Sequence, residues 1–481
     1  MAHLTSRIHS LSNETLANIF LSAIAEVFPD LLDSRIPNLS LQTELERVAN
    51  SPLLSLSRVC SRWHGIALET PTLWSNIEIH GITEGALEQT LSLLKACLAR
   101  SRDAPLSVLF RAKTFDRHSP HPRIFDLLAQ HSHRWETIHF ACSFKGLDTS
   151  ALRGRLPRLT RLEMHSEVRV EHSKPVAPLD FLEVAPALTH LLIPAPLLPM
   201  KNVTTLCKQL RTFVCLVVPL HNELQSILHL VPQLPDAAGF HLTLDLDRFV
   251  VHEDRDLVLS LPPITASLAT FGCRITARVR PHHLTLALSQ LFGCLTLPSL
   301  EILFLIFEEY PKSTLAWSSG QHSSFLGLCD RSAFSRCLKT LTLEELAISE
   351  DQVLEILSAL GALERLRVGD SPKDDPLPLV TDSFLRRMTS TVVPRLSYFA
   401  CVSRRAFTPE IFLDFVMSRL PRVASAFVKS EFKVRLYLVP NCDSNRYLDS
   451  PAHATLRQLE VDHTHFSYKW DDFRPPRWSS S

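Results

Sequence analysis

Twenty-two histidines stand in this 481-residue sequence. They come closest together at His118 and His121, His131 and His133, His282 and His283, and His463 and His465 beside Asp462. A zinc centre needs three or four such donors at tight spacing, usually with cysteines or in an H-E-x-x-H helix. No C-x-x-C and no H-E-x-x-H occurs, so these pairs read as solvated surface histidines and neither metal nor cofactor is expected. Arg153, Arg155, Arg158 and Arg161 fall within nine residues, and Arg274, Arg278 and Arg280 form a second basic run. Guanidinium forks grip phosphate or acidic motifs, although charge runs are more often plain solvated faces. There is no G-x-S-x-G, Walker loop or dinucleotide fingerprint, and only 12 glycines are present where backbone could approach a phosphate. The expectation is a protein that is not an enzyme.

Cys60 and Trp63, three residues apart, share one helix face and raise a different possibility, a contact with another protein. The totals permit it. Lys plus Arg equals Asp plus Glu at 50 each, and 45% of residues are hydrophobic against 21% charged. That is an ordinary folded composition with nothing global steering it to nucleic acid or anionic lipid. The length exceeds one usual domain. Eleven cysteines, odd in number and unpatterned, read as reduced, buried thiols. The N-terminus lacks a signal-like apolar stretch, and LLIPAPLLPM at 191–200 is too short to span a bilayer and is broken by prolines. A cytoplasmic or nuclear location is expected, with neither membrane nor nucleic acid as partner.

The elements that position Trp63 come next. Leu16, Ile19, Phe20, Ala23, Ile24 and Val27 form one apolar helical stripe, with Ser12 as N-cap and Glu14 in the first turn. Pro29 ends it, and 29–52 reads as a surface insertion in which LQTELERV (41–48) could form a short helix. Leu56, Val59, Cys60, Trp63 and Ala67 resume a helical spacing until Thr70, which the following Pro71 pushes out of the α region. Such short helices make a thin core that gains from a partner.

The order Leu11-Ser12-Asn13-Glu14-Thr15-Leu16, then Leu56-Ser57-Arg58-Val59-Cys60, Trp63 and Thr70-Pro71-Thr72-Leu73-Trp74 resembles the F-box, in the variant common among fungal F-box proteins. Serine stands at 12 where that family usually has proline, and the 29–52 insertion is a second departure. The resemblance covers 8–79. It implies a small all-α module that docks a Skp-type adaptor and, through it, a cullin ubiquitin ligase. The residues it brings to that contact are Leu11, Leu16, Ile19, Phe20, Leu56, Val59, Cys60, Trp63 and Trp74; burial inside the module is the competing reading for Val59, Cys60 and Trp63.

Past residue 80 a phrase recurs: WETIHF at 135, LTRLEM at 159, LTHLLI at 188, LRTFVC at 210, LATFGC at 268, LEILFL at 300, LKTLTL at 338, LERLRV at 363, LSYFAC at 396 and LRQLEV at 456. FHLTLDL (240–246) and FKVRLYL (432–438) fill the two double gaps, and SNIEI (75–79) and LSVLF (106–110) begin the series. A step of about 29 residues, with helix-like stretches between, reads as a solenoid. It resembles a leucine-rich-repeat array of degenerate copies, a curved parallel sheet with outer helices. An ordinary α/β domain with L-x-x-L in its helices is the alternative. The organisation expected is an F-box at 1–80, the solenoid at 81–467, and a tail or cap at 468–481.

Alternation along such strands puts Thr137 and His139; Arg161, Glu163 and His165; Thr340 and Thr342; Arg365 and Arg367; and Gln458, Glu460 and Asp462 on the open face. LEILFLIF at 300–307 is apolar on both faces, which leaves Ile302, Phe304 and Ile306 there too. Either the following segment, with Trp317 and Phe325, folds back over them, or they bind a client protein. The client-binding candidates are Arg161, Ile302, Phe304, Ile306, Arg365 and Arg367. The function implied is substrate recognition in a Skp/cullin/F-box ubiquitin ligase; the alternative is a scaffold that binds the adaptor without ubiquitin transfer.

Overall fold

Nine of the ten recurring phrases form parallel strands, and the tenth does not. The computed structural model describes residues 7–25, 52–80, 84–111, 122–141, 147–165, 179–194, 203–218, 222–245, 261–277, 282–309, 317–370, 378–388, 392–403, 407–420, 432–438, 450–462 and 466–472. They fall into two compact units, one within Met1–Leu206 and one within Cys207–Arg474.

Among the described residues the first unit begins with a 3-10 turn at Arg7–Ser10, the helices α1 (Asn13–Ala25), α2 (Pro52–Ser57) and α3 (Ser61–Glu69), and a second 3-10 turn at Pro71–Trp74. Ser12 caps α1 as its position predicts, accepting from the Thr15 backbone N–H at 3.1 Å. The apolar spacing from Leu56 to Ala67 is not one helix. The chain turns at Arg58–Cys60, and extended Cys60 (φ −160°) starts α3 afresh. Thr70, extended before Pro71, ends α3 as expected. Arg62 ties α3 to the start of α1 through Asn13 Oδ1 at 3.0 Å. LQTELERV lies outside the described residues.

Five strands follow among the described residues of this unit: β1 (Asn76–His80), β2 (Leu106–Arg111), β3 (Trp135–Ala141), β4 (Arg161–His165) and β5 (His190–Pro194). Each pairs in parallel with the next in chain order. Between β1 and β2 lies α4 (Leu87–Arg100), whose Leu87, Leu91, Leu94 and Leu98 are all buried. Buried Arg134 closes the C-terminal end of α4. It donates to Ser101 Oγ at 2.7 Å, Ala104 O at 3.1 Å and Leu98 O at 3.4 Å, satisfying carbonyls that a helix end leaves open. Arg134→Ala is expected to lower stability by about 2–3 kcal/mol in a urea melt. Lysine should not rescue it, since one ammonium cannot reproduce the planar fork.

Among the described residues, the main sheet of the second unit has nine parallel strands, again neighbours in chain order: β6 (Thr212–Val218), β7 (Gly239–Asp245), β8 (Thr270–Ala277), β9 (Ile302–Glu309), β10 (Thr340–Glu344), β11 (Arg365–Gly369), β12 (Tyr398–Ser403), β13 (Phe432–Leu438) and β14 (Phe466–Asp472). Helices such as Glu350–Ser358 lie between them. A separate parallel pair joins Ile264–Thr265 to Leu295–Thr296. Strands in chain order, joined by helical crossovers, give an α/β solenoid-like arrangement.

Its interior is two ladders. Phe213, Phe240, Phe271, Leu303, Leu341, Leu366, Phe399 and Val434 stand side by side, and Cys215, Leu242, Cys273, Leu305, Leu343, Val368, Cys401 and Leu436 form the next row. Every member is almost fully buried. The ladders explain part of the scattered cysteine usage. Burial pushes the Cys273 thiol up to about 12 and raises Cys215 and Cys401 strongly, so these are inert, small apolar fillers. Six of the nine described cysteines are buried, and all nine are free thiols.

LRQLEV at 456 is the exception. It belongs to the helix Pro451–Asp462, with Ala452 and Leu456 buried, and the strand comes ten residues later as β14. Gln458, Glu460 and Asp462 are therefore helical and do not line a strand face. The boundary drawn at 467/468 falls inside β14. Among the described residues, no helix is long and apolar enough to cross a membrane.

Candidate functional site

The nine candidates of the N-terminal helices divide by burial. Leu16, Phe20 and Trp74 are fully buried with Ile66, Ala67 and Leu73 in one core, so their side chains present no surface to a partner in this conformation. Trp74 is further fixed by an indole N–H donated to Ala67 O at 2.6 Å and by the Arg100 guanidinium 4.3 Å over its ring. Leu11, Leu56 and Trp63 are half-buried against that core, Trp63 with its ring centroid 4.8 Å from Phe20. Cys60 is also half-buried. Ile19 (43% exposed) and Val59 (60%) point to solvent. With Ile8, they are three of the six exposed large hydrophobics among the described residues, although this segment is a small part of the chain.

On the open face of the second unit, Ile302, Phe304 and Ile306 of β9 are half-buried. Trp317 and Phe325 do not cover them. Both are buried on Phe292 of the helix His282–Cys294, with ring centroids 5.8 and 5.3 Å away. Phe304 is instead supported from its own face. His241 on β7 reaches across Gly272 on β8 and stacks on the Phe304 ring at 6.0 Å. A Cβ at Gly272 would meet His241 Nδ1 at 2.3 Å, so the close approach requires glycine there.

Burial and then the Arg274 charge push His241 down to about 4, against an ordinary value of 6.5. Its neutral form is therefore favoured in the folded chain. Stability should be full above about pH 6.5, fall as pH drops from there to about 4, and then level, a loss on the order of 1–3 kcal/mol. Urea midpoints at pH 7 and pH 5 measure this, and His241→Gln should flatten the difference.

Beyond β10, two strands from the apolar β9, lies a basic, aromatic field. Exposed Arg365 stacks over Tyr398 at 4.5 Å, and Arg367 reaches across β12 to Tyr437 at 5.4 Å while pairing with Glu344. Thr340 is half-buried and Thr342 buried on the same face.

The first unit's open face differs from the mixed, accessible surface its alternation predicts. Leu162 and Met164 do point inward, and Arg161, Glu163 and His165 lie on the opposite face with His139. There, however, Glu163 and His139 are buried and bonded, Nδ1 to Oε2 at 2.9 Å. Arg161 Nε donates to Glu163 Oε1 at 2.7 Å, and His165 Nε2 stands 3.9 Å from Oε2. The two imidazoles stack at 4.7 Å. Burial pushes the Glu163 carboxyl up, but the His139 and His165 imidazoles and the Arg161 charge outweigh it and hold the carboxyl well below its usual range. Arg161, 17% exposed, thus spends its Nε on Glu163.

The other three arginines of the first cluster are exposed and each makes a bond at the surface. Arg153 pairs with Asp180 at 2.8 Å, Arg155 donates to Gln130 O at 3.2 Å, and Arg158 donates to Asp103 O at 3.3 Å. Arg153 and Arg155 link neighbouring turns, and Arg158 reaches back two turns. Of the second run only Arg274 is described. His131 and His133 lie 6.4 Å apart between ring centroids, while His118, His121, His463 and His465 lie outside the described residues, as do the His282 and His283 side chains. No known family model matches the sequence, and no curated protein matches it.

Proposed function

We propose that the chain is a substrate receptor of a Skp/cullin/F-box ubiquitin ligase, with the N-terminal helices docking the adaptor and the open face of the second unit holding a client protein. The observation that carries the reading is the division of the F-box-like residues: Leu16, Phe20 and Trp74 complete a core, and Ile19 and Val59 stay exposed beside it. A module with no partner has little reason to keep such side chains in water, each worth about 1.5–3 kcal/mol on burial.

The client end rests on Ile302, Phe304 and Ile306, with Arg365, Arg367, Tyr398 and Tyr437 beyond β10, an apolar stripe and aromatic and basic groups of the kind that dominate protein interfaces. The mechanism is positional. Holding a client near a ubiquitin-conjugating enzyme raises the effective concentration of its lysines, and no bond is made by this chain.

Deletion of residues 1–80 tests the reading against a scaffold that binds the adaptor alone. A receptor loses its ligase, so a defined set of cellular proteins should lengthen in half-life. A scaffold leaves all half-lives unchanged.

A further inference from the structure

The polar cluster on β3 and β4 has a geometry that neither adaptor nor client binding uses. Glu163 and His165, two apart on β4, face the same side, and the register sets His139 on β3 directly beside Glu163. Their donor atoms all lie within 4.8 Å of one another. Among the described residues this is the only group of three or more His, Cys, Asp or Glu side chains so close. We propose that His139, Glu163 and His165 bind one divalent transition metal of the zinc class, through His139 Nδ1, Glu163 Oε2 and His165 Nε2.

Three observations support this assignment. Two imidazoles and one carboxylate suit zinc-like ions and not magnesium or calcium, which want oxygen. Donors at 2.0–2.1 Å from a tetrahedral ion stand ~3.3 Å apart. Glu163 Oε2 is already 2.9 Å from one imidazole nitrogen and 3.9 Å from the other, so closure needs shifts of about 1–1.5 Å and rotation of the His165 ring out of its stack on His139. His165, 30% exposed, is the ring with room to make them. The outer shell is also in place, since Arg161 Nε on Glu163 Oε1 orients the carboxylate and leaves Oε2 toward the two rings. The ion would replace the His139–Glu163 hydrogen bond, releasing the shared proton to solvent, and would clamp two consecutive turns. Its fourth position would face the open side of the sheet.

The test uses the full chain, stripped with chelator and titrated with zinc chloride by calorimetry, then with cobalt(II) as a spectroscopic stand-in. One equivalent should bind, and cobalt should give a visible band that zinc abolishes. His165→Gln, at a partly exposed position that the fold tolerates, should weaken binding at least 10-fold. Glu163→Gln should do the same, and His131→Gln should leave binding unchanged. Absence of stoichiometric binding, or binding equally strong in the His165→Gln chain, would overturn the assignment. Because His165 contributes to no described core, its result stands even if the Glu163 variant unfolds.

Discussion

Phe271→Ala should lower the stability of the second unit by about 3–5 kcal/mol, read as a fall in urea midpoint with unchanged slope. Phe271 is 1% exposed and lies in the ladder between Phe240, whose ring it stacks on at 6.1 Å, and Leu303. A solenoid's turns contact chiefly their neighbours, so a cavity there weakens both interfaces of one turn at once. Against a typical total of 5–15 kcal/mol, that is enough to populate partly opened chains. Met417→Ala provides the contrast. It also deletes apolar atoms, but from a side chain 46% exposed, and should shift stability by no more than ~0.5 kcal/mol. Equal losses from the two variants would mean that the ladder is not the core.

The second large effect is functional. Phe304→Glu should abolish client turnover while leaving the unfolding free energy within about 1 kcal/mol of the parent, because Phe304 is half-buried and loses mainly its stack on His241. The readout is the set of proteins whose half-lives lengthen when residues 1–80 are deleted. The same set should lengthen with Phe304→Glu, although that chain keeps its whole N-terminal module. An insoluble Phe304→Glu chain would instead place Phe304 in the core.

Much of this architecture is legible in the order of residues. The phrase with apolar groups at its first, fourth and sixth positions marks strands because the last two point into the ladders, as Leu303 and Leu305 do. LRQLEV misleads because Leu456 and Leu459 are three apart, a spacing that a helix satisfies equally, and only packing decides between the two. The break at Arg58–Cys60 is hidden for a related reason: the apolar spacing continues across a turn that carries no glycine or proline. Positions on the open face follow from alternation, yet their accessibility does not. His139 meets Glu163 only through a register between residues 24 apart in sequence, and Arg134 finds the end of α4 in the same non-local way. The burial of Leu16, Phe20 and Trp74 against the exposure of Ile19 and Val59 likewise depends on how three short helices cross.

The central claim is met most directly by titrating a purified Skp-type adaptor into the full chain in a calorimeter. A saturable 1:1 complex is predicted, weakened at least 100-fold by the paired substitution Ile19→Glu and Val59→Glu with the thermal midpoint retained. A parent chain that takes up no adaptor, or one that binds equally well with both glutamates in place, would contradict the account.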